Sequence, residues 1–203
     1  MASVAENKYK KRGRILDAAY ELFTSKSVTE TAIDDVVRLA GVAKGTFYLY
    51  FRDKYDLLDQ IVMFRTSEII VDAYKKLCER TDKSSMSVPQ QFVFMTKQIT
   101  EYLRKNKKVT ALIDGKLLLC FSERGYAMNG SLREVKEHFE SLITQLKYSA
   151  EDAKKRLYVI TEMISSVSCR AVLSEKPFSF DEIMPTVNDM LTILLSEVNT
   201  VDK

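Results

Sequence analysis

Residues 33–58 read IDDVVRLAGVAKGTFYLYFRDKYDLL, and three helical segments follow from that string. Asp34 to Ala40 has the apolar spacing of a short amphipathic helix. Gly41-Val42-Ala43 interrupts it. A second short helix is predicted over Lys44–Tyr50. A third opens near Asp53, a residue type whose carboxylate accepts from the free N–H groups of a first turn. Two short helices about a Gly-containing turn form a helix-turn-helix pattern, whose second helix suits the DNA major groove.

The chemistry of the second helix fits that use. Stepping about 100° per residue from a buried Phe47 puts Ala43 and Phe51 on the anchored face. Gly45 and Leu49 then point outward, with Thr46 and Tyr50 on one flank and Lys44 and Tyr48 on the other. Lys44 suits guanine O6/N7 or phosphate, and Thr46 suits a base acceptor or a thymine methyl. Tyr48 can donate its O–H to phosphate. Lys54, in the first turn of the next helix, sits against the helix dipole, and an external phosphate there would explain it. A small solvated helix would show the same residue types. The turn and the basic segment upstream favour DNA.

That segment holds Lys8, Lys10, Lys11, Arg12 and Arg14 with no acid between them. Such a cluster neutralises backbone phosphates, although a solvated tail carries the same charges.

The 203 residues are 46% apolar and 29% charged, with only 6 Gly and 3 Pro, and net charge is +3. Few Gly and Pro with long 3.6-period stripes predict an all-α protein. The charge is too small for indiscriminate polyanion binding. No apolar run reaches the length of a membrane span, and the first residues do not read as a secretory signal. Cys78, Cys120 and Cys169 form no C-x-x-C pair. They fit reduced thiols, and the expected location is cytoplasmic. A redox switch at Cys120 or Cys169 is the alternative to buried structural thiols. His138 is the single histidine, so no metal site is expected and His138 reads as an exposed helix residue. There is no Glu-x-x-His pair, phosphate loop or Gly-x-Ser-x-Gly elbow. Neither catalytic residues nor a cofactor are therefore expected.

Capping signals recur along the chain. Thr31/Asp34, Ser87/Gln90, Ser131/Glu134 and Ser179/Glu182 have capping-box spacing or its Asp variant, and Asp53 and Ser149 are further N-caps. The first helix is predicted from about Lys8 to Ser25, the fourth from Lys54 to before Thr81, and the fifth over Pro89–Lys105. The sixth is predicted over Val109–Phe121, with Asp114 and Lys116 on it, and Arg124–Gly130 reads as a loop. A seventh carries Leu132, Val135, Phe139, Leu142 and Leu146. An eighth carries Leu157, Ile160, Ile164, Val167 and Ala171. The last carries Val187, Met190, Leu194 and Val198, with Leu191 and Leu195 beside them. Pro185 is expected to kink that last helix or delay its start. The chain divides into a helix-turn-helix unit, residues 1–55, and a helical bundle, residues 56–203.

Arg14-Ile15-Leu16, Ala18-Ala19, Leu22-Phe23, Thr31, Ala40-Gly41-Val42, Lys44-Gly45-Thr46, Tyr48, Phe51, Lys54 and Leu57-Leu58 together resemble the TetR family of bacterial transcriptional regulators. The likeness covers about residues 12–60. It implies an all-helical homodimer of nine or so helices per subunit, paired through the last two helices. It also implies a palindromic DNA operator, usually repression, and release by a small molecule in the C-terminal bundle. Carried onto this chain, the implied DNA contacts are Thr31, Lys44, Gly45, Thr46, Tyr48, Tyr50 and Lys54, with Lys11 and Arg12 added from the basic segment. Three positions depart from the pattern. Ser27 stands where Gly is usual, Ala32 where Ser or Thr is frequent, and Ala43 where Ser is frequent. The alanines remove hydroxyls that could hold phosphate, and Ser27 would have to adopt a left-handed backbone.

Two apolar faces on each of the last two helical stripes fit a dimer interface, or a core that buries both. Phe64, Phe92, Met95, Phe121, Phe139, Tyr158 and Met163 can line a pocket for a small apolar or amphipathic effector. They equally suit an ordinary core. Asp114 and Lys116 would lend such a pocket polarity, or sit on an exposed face. A relative that organises DNA or binds a protein partner without an inducer is the competing reading.

Overall fold

The computed structural model describes residues 4–195, with side chains from residue 9. The Lys8 side chain and Val198 lie outside the described residues. Within them the structure is helical, with no strand. Two compact units divide the chain, Met1–Met63 and Phe64–Lys203.

The N-terminal unit holds α1 (Val4–Ser25), α2 (Ile33–Ala40), α3 (Lys44–Tyr48) and the first turns of α4 (Lys54–Cys78). Its core is Ile15, Ala19 and Phe23 from α1, Val36, Val37 and Ala40 from α2, Phe47 and Phe51, and Leu57, Leu58 and Ile61 from α4. Burying each large apolar side chain stabilises the unit by roughly 1.5–3 kcal/mol. Helix α3 is two residues shorter than expected: the N–H groups of Tyr50 and Phe51 both donate to the Phe47 carbonyl, at 3.0 Å each, and close the helix. The expected Thr31 cap is absent. Ala32 occupies the N-cap of α2 and offers no side-chain acceptor. The Asp53 cap forms, its Oδ1 accepting from Tyr55 and Asp56 N–H at 2.8 Å each.

The C-terminal unit continues α4 and adds α5 (Val88–Lys105), α6 (Lys107–Ile113), α7 (Glu123–Met128), α8 (Ser131–Thr144), α9 (Ala150–Leu173) and α10 (Phe180–Leu194). Short 3₁₀ turns stand at Lys83–Ser85 and Leu117–Phe121. Helix α9 packs against α5, α6, α8 and α10. Ser87 and Gln90 form the reciprocal capping box that starts α5. Ser149 Oγ accepts from Asp152 N–H at 3.1 Å to start α9.

Three expectations fail here, and a fourth loses one of its two alternatives. The sixth helix does not reach Phe121. It ends at Ile113, where Asp114 leaves helical dihedrals and Gly115 takes φ +69, so Asp114 and Lys116 lie in a turn. Asp-Gly is strong turn chemistry, and it overrides the apolar periodicity on either side. The supposed loop at Arg124–Gly130 is instead helical as far as Met128, as part of α7, which is capped by Ser122 Oγ accepting from Gly125 N–H at 3.2 Å. Gly125 is there for proximity: a Cβ would lie 1.9 Å from the Cys120 carbonyl oxygen. Ser131 is the first helical residue of α8 rather than its cap, which is Gly130. Pro185 lies inside α10, which nevertheless starts at Phe180 without delay.

Candidate nucleic-acid interface and bundle cavity

The turn between α2 and α3 depends on Gly41. Its φ of 62° is left-handed, a conformation that costs a glycine nothing extra. Its N–H donates to Arg38 O at 3.2 Å, and Val42 N–H donates to Val37 O at 3.0 Å, closing α2. Helix α3 then departs with Phe47 at 0% exposure and Phe51 at 2%. Their rings stand 5.5 Å apart, and Tyr48 meets Phe47 edge-on at 5.2 Å. Two buried aromatics in five residues fix the roll of a helix too short to be stable alone.

The opposite side forms a ridge. Lys44, Gly45, Tyr48 and Leu49 are exposed, Leu49 at 74%, while Thr46 and Tyr50 are half-buried. Ala43, expected on the anchored face, is exposed at the N-cap. Lys44 is tethered: its Nζ lies 2.8 Å from Asp34 Oδ1, and this hydrogen bond holds the ammonium pKa above its ordinary value. Asp34 escaped the sequence reading as a partner because it lies outside helical spacing from Lys44. Beside it, Asp35 accepts from Lys26 at 2.9 Å and pairs with Arg38, and the Lys26 hydrogen bond lowers its carboxyl pKa.

Three residues expected at a DNA surface are placed differently. Thr31 is 1% exposed and its Oγ1 donates to Ser27 O at 2.6 Å, so its side chain belongs to the interior. Ser27 adopts φ 119, as its glycine-favouring position implied. Its Oγ donates to Glu30 Oε2 at 3.0 Å. Arg12 reaches back to Gln60 Oε1 at 2.5 Å and lies over the Phe51 ring. Lys54 Nζ donates to backbone carbonyls rather than standing open at a helix end. Lys11 is exposed on α1.

In the C-terminal unit Phe92, Met95, Phe121 and Phe139 line one small cavity of about 70 Å³, together with Ile70, Ile99, Leu117, Val135, Leu157, Ile160, Ile164 and two threonines, Thr96 and Thr161. Phe92 and Phe139 meet edge-on at 4.6 Å in its wall. Phe64 is not part of this lining, being 44% exposed. Met163 packs instead against the Ala171, Val172, Phe180, Met184 and Val187 cluster between α9 and α10. Both share the right residue type but occupy another helix face. Asp114 and Lys116 do not line the cavity.

Cys120 and Cys169 are buried, and burial pushes both thiols up to about 12, which removes the thiolate a redox switch needs. His138 is half-buried, its Nε2 3.3 Å from Gln91 Oε1, and not the exposed residue expected. Among the described residues no group of His, Cys, Asp and Glu side chains could hold a metal, and no helix is long and apolar enough to cross a membrane.

Residues 15–61 match the family model described as bacterial regulatory proteins, tetR family. The chain is 43% identical over 61 residues to an uncharacterized HTH-type transcriptional regulator, YvdT, of Bacillus subtilis, covering 30% of each. It is 34% identical over 61 residues to the HTH-type transcriptional regulator SrpR of Pseudomonas putida, covering 30% of this chain and 29% of SrpR. These matches therefore span under a third of each relative's length. The fold extends further. The transcriptional regulator FadR of Bacillus subtilis, solved in complex with stearoyl-CoA, aligns with a TM-score of 0.60 at 16% identity, over 88% of this chain and 96% of that one. Residues 15–61 of this chain are thus similar to the helix-turn-helix segment of bacterial regulatory proteins of the tetR family, and the chain shares its helical fold with a solved regulator.

Proposed function

We propose that this chain is a sequence-specific DNA-binding transcriptional regulator, a repressor that binds a palindromic operator as a homodimer and is released by a small effector in its helical bundle. The observation that carries the DNA reading is the ridge of Lys44, Gly45, Tyr48 and Leu49, projected by the buried Phe47 and Phe51 within the segment that matches the family. Thr46 and Tyr50 flank it. Lys11 adds phosphate neutralisation from α1. Thr31 leaves the contact set because it is buried, and Arg12 and Lys54 serve mainly to hold the unit together.

Outward apolar residues on α9 and α10 support the dimer. Val159 is 50% exposed, Met190 45% and Ile193 64%. Apolar groups of this size gathered on two packed helices are the usual mark of a covered surface. The cavity supports the effector. Helix α4 runs from Lys54 to Cys78 without a break. An effector that favours one bundle packing would act through it on the spacing of two recognition helices, which must lie about 34 Å apart on B-DNA.

The cavity volume favours a second reading. About 70 Å³ is far below the ~300–1,000 Å³ of ordinary ligand pockets. A regulator that senses no small molecule fits that volume directly, whereas the first reading requires the bundle to open.

Selection of bound duplexes from a random pool tests the DNA reading, followed by anisotropy titration at several salt concentrations and sedimentation of the free chain. One enriched inverted-repeat sequence and a dimer are expected. Thr46→Ala is expected to relax sequence preference. No enrichment, or a monomer that ignores duplex DNA, overturns it.

A further inference from the structure

We propose that the bundle cavity takes an uncharged, mostly hydrocarbon molecule bearing one hydroxyl or carbonyl group, with the Thr96 hydroxyl as its hydrogen-bond partner. The inference rests on the effector reading above and names the chemistry of that effector.

Thr96 is 1% exposed, lines the cavity, and its Oγ1 has no hydrogen-bond partner. A buried threonine in a helix normally returns its hydroxyl proton to the carbonyl one turn back. Its neighbour Thr100 does so, donating to Thr96 O at 2.8 Å, and Thr161 across the cavity donates to Leu157 O at 2.8 Å. Thr96 alone of these three keeps both donor and acceptor capacity unused. A buried hydroxyl without a partner destabilises the empty protein, and a ligand oxygen that completes the bond recovers that loss.

The remaining wall sets the rest of the ligand. None of the described lining residues carries a formal charge. A carboxylate or phosphate placed there would lose its hydration with no cation to replace it. The ligand's polar group must therefore be neutral, and its body must match Phe92, Phe139 and the aliphatic wall. The volume of about 70 Å³ holds more than a water but less than an aromatic ring, so entry displaces side chains. Met95 is the pliable member of the wall.

Three probes of one shape test this by calorimetry on the full chain without DNA: benzyl alcohol, toluene and benzoate. Benzyl alcohol is expected to bind best, toluene about tenfold more weakly for want of the hydrogen bond, and benzoate more weakly still. Thr96→Val is expected to reduce benzyl alcohol binding to the level of toluene, leave toluene unchanged and leave the melting temperature equal or higher. Thr96→Ser, which keeps the hydroxyl, is expected to retain the preference. Benzoate binding as well as benzyl alcohol overturns the proposal. So does a preference that survives Thr96→Val, or an absence of binding by all three. DNA plays no part in this measurement. Failure to find an operator would thus count against the regulator reading alone, and failure of the probes against this inference alone.

Discussion

Lys54 Nζ donates to the carbonyl oxygen of Thr31 at 3.2 Å, and the same ammonium reaches the carbonyl of Thr29 at 2.9 Å. One lysine at the start of α4 thus ties down the loop that leads into α2. The sequence alone suggested a cation waiting for phosphate. Lys54→Met keeps the aliphatic stem and removes both bonds. It is expected to lower unfolding stability by about 1.5–3 kcal/mol, the range for hydrogen bonds to a charged group, read by urea denaturation. Unchanged stability with a flatter salt dependence of DNA binding would return Lys54 to the role of phosphate contact.

Asp34 and Lys44 form the second tether, at 2.8 Å. Both side chains are more than half exposed, so the pair contributes little to folding. Its effect falls on binding, because Asp34 places a carboxylate beside the ridge proposed to meet DNA. Asp34→Asn is expected to tighten binding to all duplexes and to steepen the slope of log affinity against log salt by up to roughly one charge. Loss of affinity instead would mean that Asp34 is needed to aim Lys44.

Two glycines separate folding from function. A Cβ at Gly45 meets nothing within 4 Å, whereas a Cβ at Gly125 meets the Cys120 backbone at 1.9 Å. Gly45→Ala is expected to fold as well as the parent or up to about 1 kcal/mol better, since alanine favours helix, yet to bind operator more weakly. Gly125→Ala is expected to lose at least about 2 kcal/mol through overpacking against backbone. Thermal melts and operator titrations on both variants decide the matter, and equal melting temperatures would contradict it.

These placements show where sequence legibility ends. The Asp53 cap, the Ser87–Gln90 box and the buried Phe47–Phe51 pair were readable because each depends on neighbours within about one helical turn. Phe92, Met95, Phe121 and Phe139 were readable as residue types suited to a pocket. Lys44 with Asp34, Lys54 with Thr31 and Arg12 with Gln60, 48 residues apart, pair through tertiary placement that no helical spacing encodes. Gly125 misled because glycine usually marks a loop, and here it marks close packing. Asp114-Gly115 misled in the opposite sense, as a turn hidden within an apolar stripe.

Thiol chemistry gives a simple check on the bundle. Cys78 is exposed, with Lys83 Nζ 3.3 Å from its Sγ, while Cys120 and Cys169 are buried. Burial pushes those two up to about 12, and the thiolate is the reactive form. An aromatic disulfide reagent at neutral pH is expected to titrate one thiol rapidly and the other two only in denaturant. Cys78→Ser is expected to remove the fast phase. Two or more fast thiols in the folded chain would contradict the packing of Cys120 against α7.

His138 gives the stability a pH dependence of definite sign. Burial and the nearby Lys83 ammonium both disfavour the imidazolium, so its pKa in the folded chain lies below the ordinary 6.5. Tyr74, whose ring lies 5.2 Å away, is pushed up to about 12 and stays neutral throughout this range. The unfolded chain therefore takes up the His138 proton at a higher pH than the folded chain does. Linkage then requires stability to be present in full above about pH 6.5 and to be lost as pH falls through the lowered folded value. Urea midpoints for the parent and for His138→Gln, measured from pH 7.5 down to 5.0, isolate this contribution from that of the carboxylates. The parent is expected to lose more stability than the variant over that interval. Parallel curves would show that His138 titrates alike in both states, contrary to its burial against Gln91 and Tyr74.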